Sequence, residues 1–499
     1  MNGRVLTLSR PARAEALALA GAQIAAVGRN KEIQALVGPE TETIDLQGRT
    51  VLPGFIDAHT HLISTGLLET LYLNLAEARS LAELLEMVRA AARQKAEGEW
   101  LVGRRWEESR WPERRYITRA DLDRVAPANP VALFRVDGHL LSVNSKALEL
   151  AELPEHLRDR ADLEQGLLWE EAASWLHDRI EPEAEVLERA IAAATERAHS
   201  LGITSVHDIV KPGYLRAYQA LRGEGGLKLR VYLNLGVEAA RPLLATGLRT
   251  GFGDEWLRLG GVKLFADGSL GAGNAALSEA YLDREGRGKL NYDDEELSRI
   301  VVEAHEHGWQ VLAHAIGDRA IEQVLRAYEL AGVEPADRYR IEHFELASDK
   351  QLEWAARLGL IASMQPNFLQ WAEPGGLYET RLGEERTGRI SPHRLALDAG
   401  LKLAFGSDCM PLGPLFGIHR AVNAPYPAQR LTVEEALRCY TLGGAYASFE
   451  EGLKGSLEPG KLADLVVLST DPFNQPEEIE RIQVEMVFIG GELVFAQSR

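Results

Sequence analysis

The feature that most constrains this chain is a series of eight short β-rich runs, most of them separated by helical periods. They lie at 51–58, at GITSVHD (202–208), at KLRVYLNLGV (228–237) and at LGGVKLFADG (259–268). The series continues with WQVLAHAIG (309–317), YRIEHFE (339–345), LIASMQP (360–366) and KLAFGSD (402–408). Between runs, apolar residues such as Leu297, Ile300, Val301 and Ala304, or Ile321, Val324, Leu325 and Tyr328, recur at helical spacing. Eight strands alternating with helices predict an α/β chain built on a (β/α)8 TIM barrel, with its chemistry where the strands end.

Two segments fall outside that series. Residues 64–200 separate the first two runs by far more than a βα loop holds, which predicts an inserted subdomain after the first barrel strand. It carries RRWEESRWPERR, VALFRVDGHLLSVNS and a long Glu/Ala-rich helical stretch. Residues 1–50 and 452–499 both hold short strands with Gly turns, as in KLADLVVLS and VEMVFIGGELVF. The two termini are therefore expected to meet in one small β domain beside a barrel spanning 51–451. Near the start, Arg4, Arg10 and Arg13 precede AEALALAGAQIAAVG and imitate a signal peptide. Glu15 and Gln23 interrupt the apolar run, so the segment reads as a strand–turn–strand of the mature fold.

Charge narrows the partners. A formal net charge of −19 over 499 residues supplies no basic face for a nucleic-acid backbone or an anionic membrane. No run of 18 apolar residues suggests a span, and small molecules are the expected partners. Trp106 and Trp111 stand between arginines, but the acidic total favours packing over base stacking. Cys409 and Cys439 are too few for a disulfide framework, which fits the cytoplasm. A homo-oligomer is left open.

The chemistry begins in VLPGFIDAHTHLIS (51–64), where an apolar run breaks at Pro-Gly and then delivers Asp57, His59 and His61. Side chains two apart on a strand point the same way, so His59 and His61 converge at the end where a barrel keeps its active site. A lone pair of this kind is more often a pair of hydrogen-bonded strand-end histidines than a metal site. His305 and His307 repeat the spacing in a helical pattern, where i and i+2 do not face each other. What separates His59 and His61 from them is company: His314, His343 and Asp408 each close another run. Lys263 lies among apolar neighbours, where an unpaired ammonium costs several kcal/mol, so it must be salt-bridged, neutral or modified.

Together, the HTH after an apolar strand, the strand lysine, two further strand-end histidines and the late GSD resemble the amidohydrolase superfamily over essentially the whole chain. FRVDGHLLSVNSKAL and VKLFADGSLGAGNAAL, with the long insertion, resemble the branch that includes N-substituted formamide deformylases. The resemblance implies a β-sandwich beside the barrel, a divalent metal pair and a lysine carboxylated by carbon dioxide. Carried over, His59, His61 and Asp408 would bind one ion, His314 and His343 the second, and Lys263 both, with one or two ions per chain.

Neutral imidazoles and carboxylates suit zinc, at about 2.0–2.2 Å, although manganese, iron and cobalt accept the same donors. Bound water then has a pKa near about 7 and supplies hydroxide, with Asp408 as general acid and base and the second ion as Lewis acid. His139, Asp267 and Ser269 are the candidate substrate contacts. Trp371 and Tyr378, in a Pro/Gly-rich loop, are a candidate lid. The expected activity is hydrolysis of a non-peptide C–N bond, an amide or a formamide. A one-metal deaminase of an aminated ring uses the same ligands, and a non-catalytic binding protein on the same barrel is the alternative of another class. Retention of all six ligand positions argues against the last.

Overall fold

A computed structural model of the chain describes residues 1–108, 111–136, 138, 140–180 and 182–497, without the side chains of Glu170, Glu171, Ser174 and Asp178. The chain divides into two compact units, Met1–Leu62 with Thr195–Arg499, and Ile63–Ala194.

In the first unit, eight strands follow one another in chain order in one sheet. They are β1 (Phe55–Thr60), β2 (Ile203–Val210), β3 (Arg230–Gly236), β4 (Leu257–Phe265), β5 (Val311–Ala315), β6 (Arg340–His343), β7 (Ile361–Met364) and β8 (Lys402–Phe405). Every neighbouring pair is parallel. Both faces of such a sheet are covered, which is why these strands are buried almost throughout rather than alternating between core and water. Amphipathic helices lie between them: Asp294–Glu306 buries Leu297, Ile300, Val301 and Ala304, and Asp318–Leu330 buries Ile321, Val324, Leu325 and Tyr328.

Register places the polar residues on common levels. Lys263 on β4 pairs with Leu312, and Leu312 with Arg340. Two residues further along, Phe265 pairs with His314, His314 with Glu342, and Glu342 with Ser363. Because partners in a parallel ladder project to the same face, these residues share one face of the barrel sheet.

The expected first strand, 51–58, is two strands in two different sheets. Thr50–Pro53 pairs with Arg4–Leu6 and Leu465–Leu468, and only after Gly54 does Phe55–Thr60 join the barrel. A Cβ at Gly54 would lie 2.3 Å from the Thr204 side chain, so only glycine lets the chain pass between the sheets there. An apolar run carries no mark at which its ladder partner changes. Strands from both ends of the chain share a six-stranded sheet, ordered Arg13–Ala14, Arg4–Leu6, Thr50–Pro53, Leu465–Leu468, Val484–Ile489 and Glu492–Ala496. Ala16–Ala20 and Gln23–Gly28 form a separate antiparallel pair around Gly21, whose φ is +56°.

That terminal sheet is tied to the barrel by a buried ion pair. Arg230 on β3 donates through Nε to Asp464 Oδ2 at 2.6 Å and through Nη2 to Oδ1 at 3.0 Å. Oδ1 also accepts from Gly490 N at 2.8 Å, and the Trp256 ring lies 4.5 Å from the guanidinium.

The second unit has its own six-stranded mixed sheet, centred on Leu101–Trp106, Val131–Arg135 and Leu140–Val143. Trp106 and Trp111 are buried in its core, stacked at 5.9 Å, and their indole N–H groups donate to Leu133 O and Ala78 O. The two tryptophans are packing residues. Among the described residues no helix is long and apolar enough to cross a membrane.

Asp464→Ala leaves Arg230 buried without its counter-charge, a change that costs about 3–5 kcal/mol. The expected outcome is a clear fall in the urea midpoint, followed by Trp256 fluorescence; an unchanged midpoint would show that the pair does not hold the terminal sheet.

Candidate metal centre

Between β8 and β1 no ladder forms among the described residues, and the barrel is closed there by side chains. Asp57 on β1 accepts from Ser407 N at 2.9 Å and Ser407 Oγ at 2.5 Å, and also from His59 N at 3.3 Å. Asp408 N then donates to His59 O at 2.9 Å. Gly406 makes this approach sterically feasible, because a Cβ there would lie 2.4 Å from His59 N and 2.6 Å from His59 Cβ. Burial pushes the Asp57 carboxyl up to about 7, opposed by the Ser407 and His59 hydrogen bonds. The DxHxH and GSD stretches are therefore two halves of one joint.

That joint brings the sequence-predicted ligands together. His59 Nε2 is 3.7 Å and His61 Nε2 3.3 Å from Asp408 Oδ1. The His59 and His343 rings are 4.8 Å apart, and the His343 and His314 rings 4.4 Å. One ligand atom from each of His59, His343 and Asp408 lies within 4.8 Å of the others. This tightest triple takes His343 from one expected pair and joins it to two members of the other set. His61, just past the end of β1, remains partly exposed.

Strict alternation would turn His343 away from Glu342, its neighbour on β6. A left-handed backbone at His343, φ +70°, and at Phe344, φ +50°, breaks the alternation at the strand end. Asp408 is likewise left-handed, φ +52°, three residues beyond the end of β8. Both ligands are thus presented by turns rather than by strands.

Lys263 is fully buried, and its Nζ has no hydrogen-bond partner. Burial drives the amine down to about 8, against the pull of the Glu342 and Asp408 carboxylates. His343 Nδ1 is also buried and unpartnered. Burial, with neighbouring cationic side chains, holds His59 and His343 well below the usual imidazole range. Asp408 is pushed up to about 7 by burial, with Lys263 opposing. Neutral imidazoles, a buried amine whose pKa is lowered and a buried carboxyl form a donor set that fits a divalent cation.

Sequence reasoning missed the charged pair that backs these residues. Glu342 on β6 has one carboxylate oxygen against His59 Nδ1 and the other 2.7 Å from Arg340 Nε. Arg340 also reaches His207 Nδ1 at 2.9 Å, Ala58 O at 2.6 Å and Ser363 Oγ at 2.9 Å. Arg340 and Glu342 are both fully buried. The signal was present in YRIEH, where charged residues alternate with apolar ones in a strand whose faces are both covered.

Asp267 is held by backbone N–H groups, from Ile316 at 3.0 Å, Ala276 at 2.8 Å and Gly317 at 2.9 Å. Its Oδ1 lies 3.5 Å from His314 Nε2, and that nitrogen is 3.0 Å from Gly268 O. Ser269 is engaged in its own turn, with Oγ accepting from Ala272 N at 3.1 Å and its N–H donating to Asn274 Oδ1 at 2.7 Å. His139 lies outside the described residues. Tyr378 is buried and hydrogen-bonds Glu345, while Trp371 packs in the same apolar cluster. Tyr378 is thus a core residue, and Trp371 is half-buried against the same cluster. Glu345 itself is pushed up to about 8 by burial.

The sequence profile of the amidohydrolase family matches residues 42–495. Protein LONG AFTER FAR-RED 3 of Arabidopsis thaliana is 32% identical, with 99% of this chain and 91% of that protein covered. N-substituted formamide deformylase of Arthrobacter pascens is 29% identical, with 100% of this chain and 98% of that protein covered. Among solved structures, an uncharacterized metal-dependent hydrolase from Pyrococcus furiosus matches with a TM-score of 0.80 at 32% identity, covering 95% of this chain and 98% of its own.

Gly406→Ala forces β8 away from β1 at the joint that sets the His59 to Asp408 spacing. The expected outcome is a folded protein, destabilised by about 1–3 kcal/mol, that retains less zinc after dialysis than the native chain. Full zinc retention would show that the seam does not set the ligand spacing.

Proposed function

The chain belongs to the amidohydrolase family, and from that premise we propose that it is a metal-dependent hydrolase of a non-peptide C–N bond, an amide or an N-substituted formamide. The observation that carries the reading is the convergence of His59, His343 and Asp408 ligand atoms within 4.8 Å, beside the unpartnered Lys263 Nζ and His343 Nδ1. The full-length likeness to an N-substituted formamide deformylase supports the choice of bond.

His59, His61 and Asp408 would hold one ion, His314 and His343 a second, and Lys263, as a carbamate, both. Zinc is the ion proposed. When bound it would supply an activated water at neutral pH and polarise the scissile carbonyl. Asp408 Oδ accepts the proton of the attacking water and returns it to the leaving nitrogen, general acid–base work by one carboxyl. A substrate-orienting role is assigned to His139 and Ser269 from their sequence setting. Asp267, expected as a substrate contact, would on this reading orient His314, whose Nε2 lies 3.5 Å from its Oδ1. We take the terminal strands as a β-sandwich appended to the barrel, residues 64–200 as its inserted subdomain, and the cytoplasm as its compartment.

Purified protein should carry one or two divalent ions, lose turnover on chelation and regain it with zinc, manganese or cobalt. A screen of N-substituted formamides and acylated amines should release amine and carboxylate; ammonia from an aminated ring would replace this reading with the deaminase. Full turnover in protein stripped of metal would sink both.

Lys263→Ala should lose the second ion and slow turnover by a factor of about 10³, roughly 4 kcal/mol of barrier. Retention of both ions with near-normal turnover would make Lys263 a buried ion-pair partner only.

A further inference from the structure

The geometry of β6 points to a function for Arg340 and Glu342 that the donor set alone does not contain. We infer that these two residues act together as positioning residues that fix the tautomer of His59, keeping its proton on Nδ1 and its Nε2 lone pair directed to the ion. The inference rests on the proposed role of His59 as a metal ligand.

The argument is a count of donors and acceptors. A guanidinium is permanently charged and only donates. Arg340 is held on three sides, by His207 Nδ1, Ala58 O and Ser363 Oγ, so Nε is left to Glu342 Oε1 at 2.7 Å. Glu342 is fully buried, is also hydrogen-bonded by Ser363, and its second oxygen faces His59 Nδ1. An ionised carboxylate has no proton to give, so the proton between these atoms is the imidazole's. In a neutral ring that leaves Nε2 as the acceptor, and Nε2 is the atom turned to Asp408, at 3.7 Å. A carboxylate behind a ligating histidine orients the ring and raises its basicity. Arg340 in turn stops Glu342 from rotating or taking up the proton.

Glu342→Gln separates this function from simple filling of the barrel. The glutamine has one acceptor and one donor group where glutamate has two acceptors. Arg340 Nε cannot give up its donor role, so it claims the amide oxygen. The amide N–H₂ then faces His59 Nδ1 and forces the ring proton onto Nε2, the face meant for the ion.

The test uses full-length protein. Zinc affinity of the wild type, of Glu342→Gln and of Arg340→Met/Glu342→Gln is measured by competition with a chromogenic chelator. The same proteins, metal-free and labelled with [15N]histidine, are examined by NMR to locate the His59 proton. Glu342→Gln should weaken zinc binding by about 10–100-fold, with the His59 proton moved from Nδ1 to Nε2. In the double variant the amide is free to turn its oxygen to His59, so the proton should return to Nδ1 and affinity should recover towards wild type. A filling role alone predicts a double variant no better than the single one.

Unchanged affinity in Glu342→Gln, a proton that stays on Nδ1, or a folded double variant as weak as the single one overturns the inference. If the double variant does not fold, the proton position in Glu342→Gln decides. A wild type that takes no zinc would instead defeat the functional reading, while the tautomer remains readable in the metal-free protein.

Discussion

The geometry of the centre depends on how the last barrel strand meets the first. Seven of the eight strand boundaries are zipped by backbone ladders, which set spacing without help from side chains. The eighth is closed by Asp57 gripping Ser407, by the Asp408 N–H on His59 O, and by the missing side chain of Gly406. The same short segments carry His59 and Asp408, so the closure of the barrel and the spacing of two ligands are one event. A carboxylate that accepts from a backbone N–H and a hydroxyl across a seam gives direction as well as strength.

The interior below that seam is costly. Arg340, Glu342, Lys263, His207 and Ser363 are all buried inside a parallel barrel, a place usually filled by branched aliphatic side chains. The structure offsets much of this cost by pairing: Arg340 spends its donors on Glu342, His207, Ser363 and a backbone carbonyl. Among the buried atoms left without a hydrogen-bond partner are His207 Nε2 and, at the centre, Lys263 Nζ and His343 Nδ1. The two nitrogens at the centre, beside converging imidazoles and a carboxyl, are what a bound cation would complete. Asp464 and Arg230 show the contrasting case, a buried pair that is closed on itself and holds the terminal sheet to the barrel.

Different parts of this arrangement were legible to different degrees. The strand runs around His207, Lys263, His314 and Asp408 stood out because buried parallel strands are apolar stretches broken by a few polar residues. The division of 51–58 between two sheets was not legible, since both halves are equally apolar and only the contact of Gly54 with Thr204 marks the handover. His343 was selected as a strand-end histidine, yet its direction depends on a left-handed backbone that nothing in YRIEHFE announces. Glu342 and Arg340 were passed over although charged residues alternating with apolar ones in a barrel run, as in YRIEH, mark buried polar groups. Trp371 and Tyr378 were read as a lid from their loop composition, whereas packing buries Tyr378 in an apolar cluster and half-buries Trp371 against it.

The sequence by itself determined the alternation of strands and helices, the identity of the donor groups and the order in which the strands present them. These are local properties, set by the period of side-chain direction and by the chemistry of single residues. Only the tertiary structure decided which donors share a centre, because a seam and two left-handed turns bring His59 to His343 and Asp408, hundreds of positions further along the chain. It also decided that Glu342 stands behind His59 with Arg340 behind it. Such contacts depend on strand register and barrel closure, and those are settled by the fit of the whole chain rather than by any stretch of it.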